Sequence, residues 1–166
     1  MMDIDEIKTK IINWVNNDNL AKFKVIDEGK YHPEKYPYLL KIETPSLGDL
    51  YIYKPKTYED KISVYAGVDF VDEYKKAFDS LENNFKQKLL IDISNGITMM
   101  NLVIKFHPNA MNLEKIRFHE IIYFDGLTKD RIMNSFTKVL NAYGYVIVVL
   151  QKHNIIQKPF DPSNFV

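Results

Sequence analysis

Apolar residues along this chain recur first at helical spacing, then in alternation, then at helical spacing again. Ile4, Ile7, Ile11, Trp14 and Val15 lie three and four apart and form one stripe, with Lys8, Lys10 and Asn13 off it. Asp3 can cap this helix, and the polar run at 16–19 stops it. Alternation follows. Phe23-Lys24-Val25 is the first instance, and Tyr38, Leu40 and Ile42 then alternate with Leu39 and Lys41. Leu50 and Ile52 alternate with Tyr51 and Tyr53, and Ile62, Val64 and Ala66 continue the pattern. The connections, such as Pro45-Ser46-Leu47-Gly48-Asp49, are too short for a parallel crossover, so these strands pair antiparallel.

The period changes again near Asp69. Phe70, Tyr74, Ala77, Phe78, Leu81, Phe85 and Leu89 predict one long helix that ends before Asn95-Gly96. Two strands are expected next, at 97–106 and 116–124, closed by His107-Pro108-Asn109 and by Asp125-Gly126. Thr128 caps a last helix with Ile132, Met133, Phe136, Val139, Leu140 and Tyr143 on one side. The run at 145–150 is rich in β-branched residues, yet helical spacing persists through Ile147 and Leu150. Continuation of the helix is favoured there, with a final strand as the alternative.

The pattern predicts an α+β protein: an antiparallel sheet of five to six strands packed against three helices. Its order is α-β-β-β-(β)-α-β-β-α. One domain is expected over 1–156, followed by an extended tail at 157–166 that contains Pro159 and Pro162.

Composition narrows the function classes. The chain has 166 residues, enough to bury one core, and its 22 basic and 22 acidic residues cancel. A balanced charge argues against nucleic acid as a partner. Cysteine is absent, which removes disulfides, thiolate metal sites and a cysteine nucleophile. The first ten residues lack the layout of a signal peptide, and the longest strongly apolar run, 145–150, falls far short of the roughly 20 residues of a membrane helix. A soluble, cytoplasmic protein with no membrane association is expected.

Catalytic motifs do not emerge. His32, His107, His119 and His153 form no HExxH pair, and His119 and Glu120, as neighbours on a strand, point to opposite faces. The six glycines make no phosphate loop, and Ser46 and Ser63 lie in no nucleophile elbow. Glu43, Asp49, Glu59 and Asp60 gather near strand ends, as solvated turn residues do. No catalytic residue, cofactor or metal ligand is therefore assigned. A hydrolase or transferase assembled from His107, His119 and Glu120 is the enzymatic alternative.

The segments at 97–106 and 116–124, the Trp14 helix, and Asp125-Gly126-Leu127-Thr128 opening the last helix carry a resemblance. In this order of elements the chain resembles the type III secretion chaperones and their distant relatives, and also a small family of archaeal proteins of unknown function. The resemblance implies dimerisation and the holding of a partner polypeptide on exposed apolar surface. It brings no catalytic residues.

Aromatic and apolar residues supply an independent argument. Seven tyrosines, Tyr31, Tyr36, Tyr38, Tyr51, Tyr53, Tyr58 and Tyr65, crowd the early strands. With Leu50 and Ile52 facing the helices, Tyr51 and Tyr53 project from the opposite face. Met99 and Val103 on one late strand, and Ile121 and Tyr123 on the other, would make that second face apolar too. Tyr51, Tyr53, Met99, Val103, Ile121 and Tyr123 are thus the candidate interface, with a homodimer as the expected assembly and a protein or peptide as a further partner. A single-stranded nucleic-acid platform built on Tyr51, Tyr53 and Tyr65 ranks third.

Overall fold

The alternating segments form one six-stranded antiparallel sheet. The structure is a computed structural model that describes residues 4–17, 23–27, 39–44, 48–54 and 60–156. Its strands are β1 (Lys24–Asp27), β2 (Leu39–Glu43), β3 (Leu50–Tyr53), β4 (Lys61–Asp69), β5 (Val103–Pro108) and β6 (Leu113–Tyr123). Spatial order is β1-β2-β3-β4-β6-β5, so β6 inserts between β4 and the edge strand β5. The helices are α1 (Ile4–Asn16), α2 (Asp72–Asp79), α3 (Asn83–Met99) and α4 (Lys129–Lys152).

One face of the sheet carries the core. Leu40, Ile42, Leu50, Ile52, Ile62, Val64, Ala66 and Val68 are buried, as are Ile116, Phe118 and Ile122. Period-2 burial puts all of them on the side of the helices. The α1 stripe of Ile7, Ile11 and Val15 packs onto this side, and α4 crosses β3, β4 and β6 while touching α1 and α3. Burial of Ile132, Phe136, Val139, Val146 and Leu150 along α4 settles the 145–150 run as helix, not strand. Its apolar residues sit on a helical stripe between α3 and the sheet, and that packing outweighs their β-branched preference.

Thr128 caps α4 as expected: its side-chain oxygen accepts a hydrogen bond from the Arg131 amide at 3.1 Å. Thr128→Ala removes that acceptor and is expected to lower stability by about 1 kcal/mol, read as a shift in the urea midpoint at constant slope.

Several boundaries differ from the sequence expectation: β5 runs on through His107 to Pro108, and β6 begins at Leu113 and ends at Tyr123. The long helix is two helices, broken at Ser80-Leu81-Glu82, which raises the helix count from three to four. The Ser80 hydroxyl donates to the Ala77 carbonyl at 2.7 Å, and Glu82 adopts extended backbone at the start of α3. Phe85 therefore leaves the stripe and is exposed, while Leu89, Leu90, Ile93 and Ile97 are buried on α3.

Asn95-Gly96 does not stop the helix. A Cβ at Gly96 would lie 2.2 Å from the Tyr145 ring, so this glycine admits a side chain of α4. The Tyr145 hydroxyl then donates to the Asp92 carbonyl at 2.8 Å. The stop is Asn101, in left-handed backbone at φ 56°, with the Leu102 amide donating back to the Ile97 carbonyl. Residues 97–100 consequently belong to the helix end, and the strand expected at 97–106 begins at Val103. Residues 157–166, expected as a tail, lie outside the described residues.

Candidate functional site

Helices cover one face of the sheet only, and among the described residues no element lies across the other. This back face carries Tyr51 and Tyr53 on β3; Lys61, Ser63, Tyr65, Gly67 and Asp69 on β4; Lys115, Arg117, His119, Ile121 and Tyr123 on β6; and Val103, Lys105 and His107 on β5. Cross-strand register places them in rows. Tyr51, Tyr65, His119 and Val103 form one row, followed by Gly67, Arg117 and Lys105, and then by Asp69, Lys115 and His107.

The apolar part of the face lies at one end. Val103 is 45% exposed, Ile121 36% and Tyr123 52%, which is high for side chains of their size. Met99 is 85% exposed, but it stands at the end of α3 and not on a strand. The back face is thus less apolar than the sequence suggests, because Met99 does not contribute to it. Tyr51 and Tyr53 do project onto it, as the pleat requires. The Tyr51 and Tyr65 rings stack at 5.0 Å, and Tyr53 meets Tyr65 edge-on at 5.2 Å. Of the other early tyrosines, Tyr31, Tyr36, Tyr38 and Tyr58 lie outside the described residues, as does His32.

Towards the β5 edge the face holds a small open hollow of about 90 Å³, lined by Tyr53, Tyr65, Lys105, His107, Arg117 and His119. Four strands contribute to it. Lys105 and Arg117 stand directly opposite each other on β5 and β6. The Arg117 guanidinium lies 5.7 Å from the centre of the Tyr65 ring, a cation–π contact that orients it. Gly67 makes room for this arrangement, since a Cβ there would come within 3.2 Å of Arg117 Cγ and 2.7 Å of the Ile116 carbonyl oxygen. Burial holds the His119 imidazole below its ordinary pKa, and the Lys105 charge lowers it further. Lys115 is likewise held low, by burial first and then by Arg117.

The structure brings His107 and His119 to the same hollow but leaves Glu120 on the other side of the sheet. Glu120 is 5% exposed and faces α4, where its Oε1 accepts from Arg131 at 2.7 Å and from Lys138 at 2.6 Å. No carboxylate is among the residues lining the hollow, so neither imidazole has an acidic orienting partner there. Of the acidic residues near strand ends, Glu43 and Asp49 both pair with Lys41. Glu59 lies outside the described residues. Among the described residues no group of three or more His, Cys, Asp or Glu is placed to hold a metal ion, and no helix is long and apolar enough to cross a membrane.

Sequence reasoning missed the hollow. Its signal was the alternation of Lys105 with His107 and of Lys115, Arg117 and His119, which puts five basic or imidazole groups on one face.

A two-layer α+β architecture, with an antiparallel sheet open on its back, is what these elements define. The chain belongs to the family described as "Uncharacterized conserved protein (DUF2299)", whose model matches residues 7–150. Among solved structures it is similar to an uncharacterized protein from Methanothermobacter thermautotrophicus, with a TM-score of 0.72 and 16% identity. That match covers 88% of this chain and 97% of the other, and at this identity it speaks to the fold alone. No curated protein matches the chain.

Proposed function

We propose that this protein is a non-enzymatic interaction module of the cytoplasm, acting as one domain over 1–156 and pairing with a second copy through the back of its sheet. The observation that carries this reading is the run of exposed Val103, Ile121 and Tyr123 on a sheet face that no described helix covers. Apolar surface of this kind, bordered by charged groups, is the usual mark of an interface. In a twofold pair the same patch meets itself, so apolar groups must oppose apolar groups. Stacking the basic hollow on its own copy would oppose like charges, which favours an axis at the Val103–Tyr123 end. Similarity in element order to the type III secretion chaperones, which dimerise and hold a partner polypeptide, supports this reading.

Ile121→Lys combined with Val103→Lys puts two like charges per chain at the proposed axis. The pair is expected to dissociate while the circular dichroism spectrum stays unchanged. A folded variant that still runs at the wild-type volume in size exclusion contradicts the proposal.

The enzymatic alternative has one observation in its favour, the meeting of His107 and His119 in the hollow. The separation of Glu120 from them by the sheet weighs against it.

A further inference from the structure

Several basic residues of the back face are paired. Lys41 pairs with Glu43 and Asp49, Lys24 with Glu43, and Lys115 with Asp69. Lys105 and Arg117 pair with no carboxylate among the described residues, although they stand in direct register on neighbouring strands. Like charges placed opposite each other on a sheet are unfavourable. The surroundings deepen the effect: the groups facing them in the hollow are His107 from β5, His119 from β6, Tyr65 from β4 and Tyr53 from β3, and none is acidic. Lys115 next to them is already neutralised by Asp69 at 2.5 Å. A concave site with two uncompensated cations, two imidazoles and two phenols is complementary to a negative charge.

The geometry restricts which anion fits. The guanidinium of Arg117 sits over the Tyr65 ring, and a guanidinium on an aromatic face keeps its N–H groups for an oxyanion. Lys105 donates from the neighbouring strand, and the imidazoles of His107 and His119 stand one row to either side. Donors from several directions suit the three oxygens of a phosphoryl group better than the two coplanar oxygens of a carboxylate. Tyr53 lines the same hollow and supplies aromatic area against which an organic group can pack. A strand of nucleic acid is less well served. The Tyr51 and Tyr65 rings cover each other, and Arg117 lies over Tyr65, so flat faces are not offered to successive bases.

We propose that the hollow formed by Tyr53, Tyr65, Lys105, His107, Arg117 and His119 is a binding site for the phosphoryl group of a small organic phosphate monoester. The site is built from one chain and stands independently of pairing between copies.

The test is a titration of the full-length protein with phenyl phosphate, inorganic phosphate and benzoate, followed by NMR of the histidine imidazoles. Phenyl phosphate is expected to shift the His119 and His107 resonances saturably and to raise the pKa of His119, because a bound anion favours the imidazolium. Inorganic phosphate is expected to bind at the same resonances more weakly, and benzoate more weakly than phenyl phosphate. Lys105→Ala with Arg117→Ala, both on the open face, is expected to weaken phenyl phosphate by about tenfold or more, the loss of one charge-assisted contact or more. The pH titration of the wild type needs no variant and keeps the test valid if the double variant fails to fold. Absence of any His119 response, a response unchanged in the folded double variant, or tighter binding of benzoate would overturn the assignment. Tighter binding of a short single-stranded oligonucleotide than of phenyl phosphate would overturn the small-molecule class.

Discussion

Replacing Arg131 and Lys138 together with methionine is expected to lower the free energy of unfolding by about 3–5 kcal/mol, the cost of leaving a buried charge without its partners. Both cations reach the same oxygen of Glu120, which stands on the helix side of β6 among Ile116, Phe118 and Ile122. The other carboxylate oxygen has no hydrogen-bond partner, so nothing further would compensate the charge. Each single variant leaves one charge-assisted bond in place and is expected to cost less than half as much. Adding Glu120→Met to the double variant should recover most of the loss, since an apolar replacement of a buried ion pair is close to neutral. Urea unfolding of the wild type and the four variants decides the matter. A double variant within about 1 kcal/mol of wild type, the worth of an ordinary exposed pair, would mean that Glu120 is solvated.

Phe118→Ala carries the other large effect, again about 3–5 kcal/mol. Phe118 is fully buried on β6, in register with Ala66 on β4 and Ile104 on β5. Ala66 is small and both flanking strands are held by ladder pairing, so the space vacated by the ring cannot close. Lys105→Ala, on the opposite face of the same strand pair, is expected to change stability by no more than about 0.5 kcal/mol. A comparable loss from both substitutions would contradict a sheet that is buried on one face and open on the other.

Much of the core was legible from the sequence because local periods determine which side chains share a face. The spacing of Ile7, Ile11 and Val15 and the alternation of Leu50 with Ile52 and of Ile62 with Val64 each selected residues that are buried. Opposite placement of His119 and Glu120 followed from the pleat alone. Helix ends were harder. Ser80-Leu81-Glu82 contains neither Gly nor Pro, so the break between α2 and α3 has no strong local signature. Asn95-Gly96 looked like a stop, but the glycine answers to Tyr145 on another helix, far away in sequence. Placing Met99 on a strand followed from that error.

The hollow depends on information of a longer range still. Tyr53, Tyr65, His119 and Lys105 come together only because β6 lies between β4 and β5, an order that skips the sequence. Lys105 meets Arg117 through the register of the β5–β6 hairpin. That register depends on a turn closed by Asn109, whose side-chain oxygen accepts from the amides of Met111 and Asn112, and on the irregularity at His107/Pro108. One residue of slip in β5 would send Lys105 and His107 to the other face. Taken one at a time, the histidines and lysines read as ordinary strand-surface residues, and only their shared face gives them a chemistry.

Pairing of two copies through the open sheet face is tested most directly by sedimentation equilibrium of the wild-type chain at low micromolar concentration. A species of about twice the 19.5 kDa chain mass is expected, and a single species of one chain mass across that range would rule the pairing out.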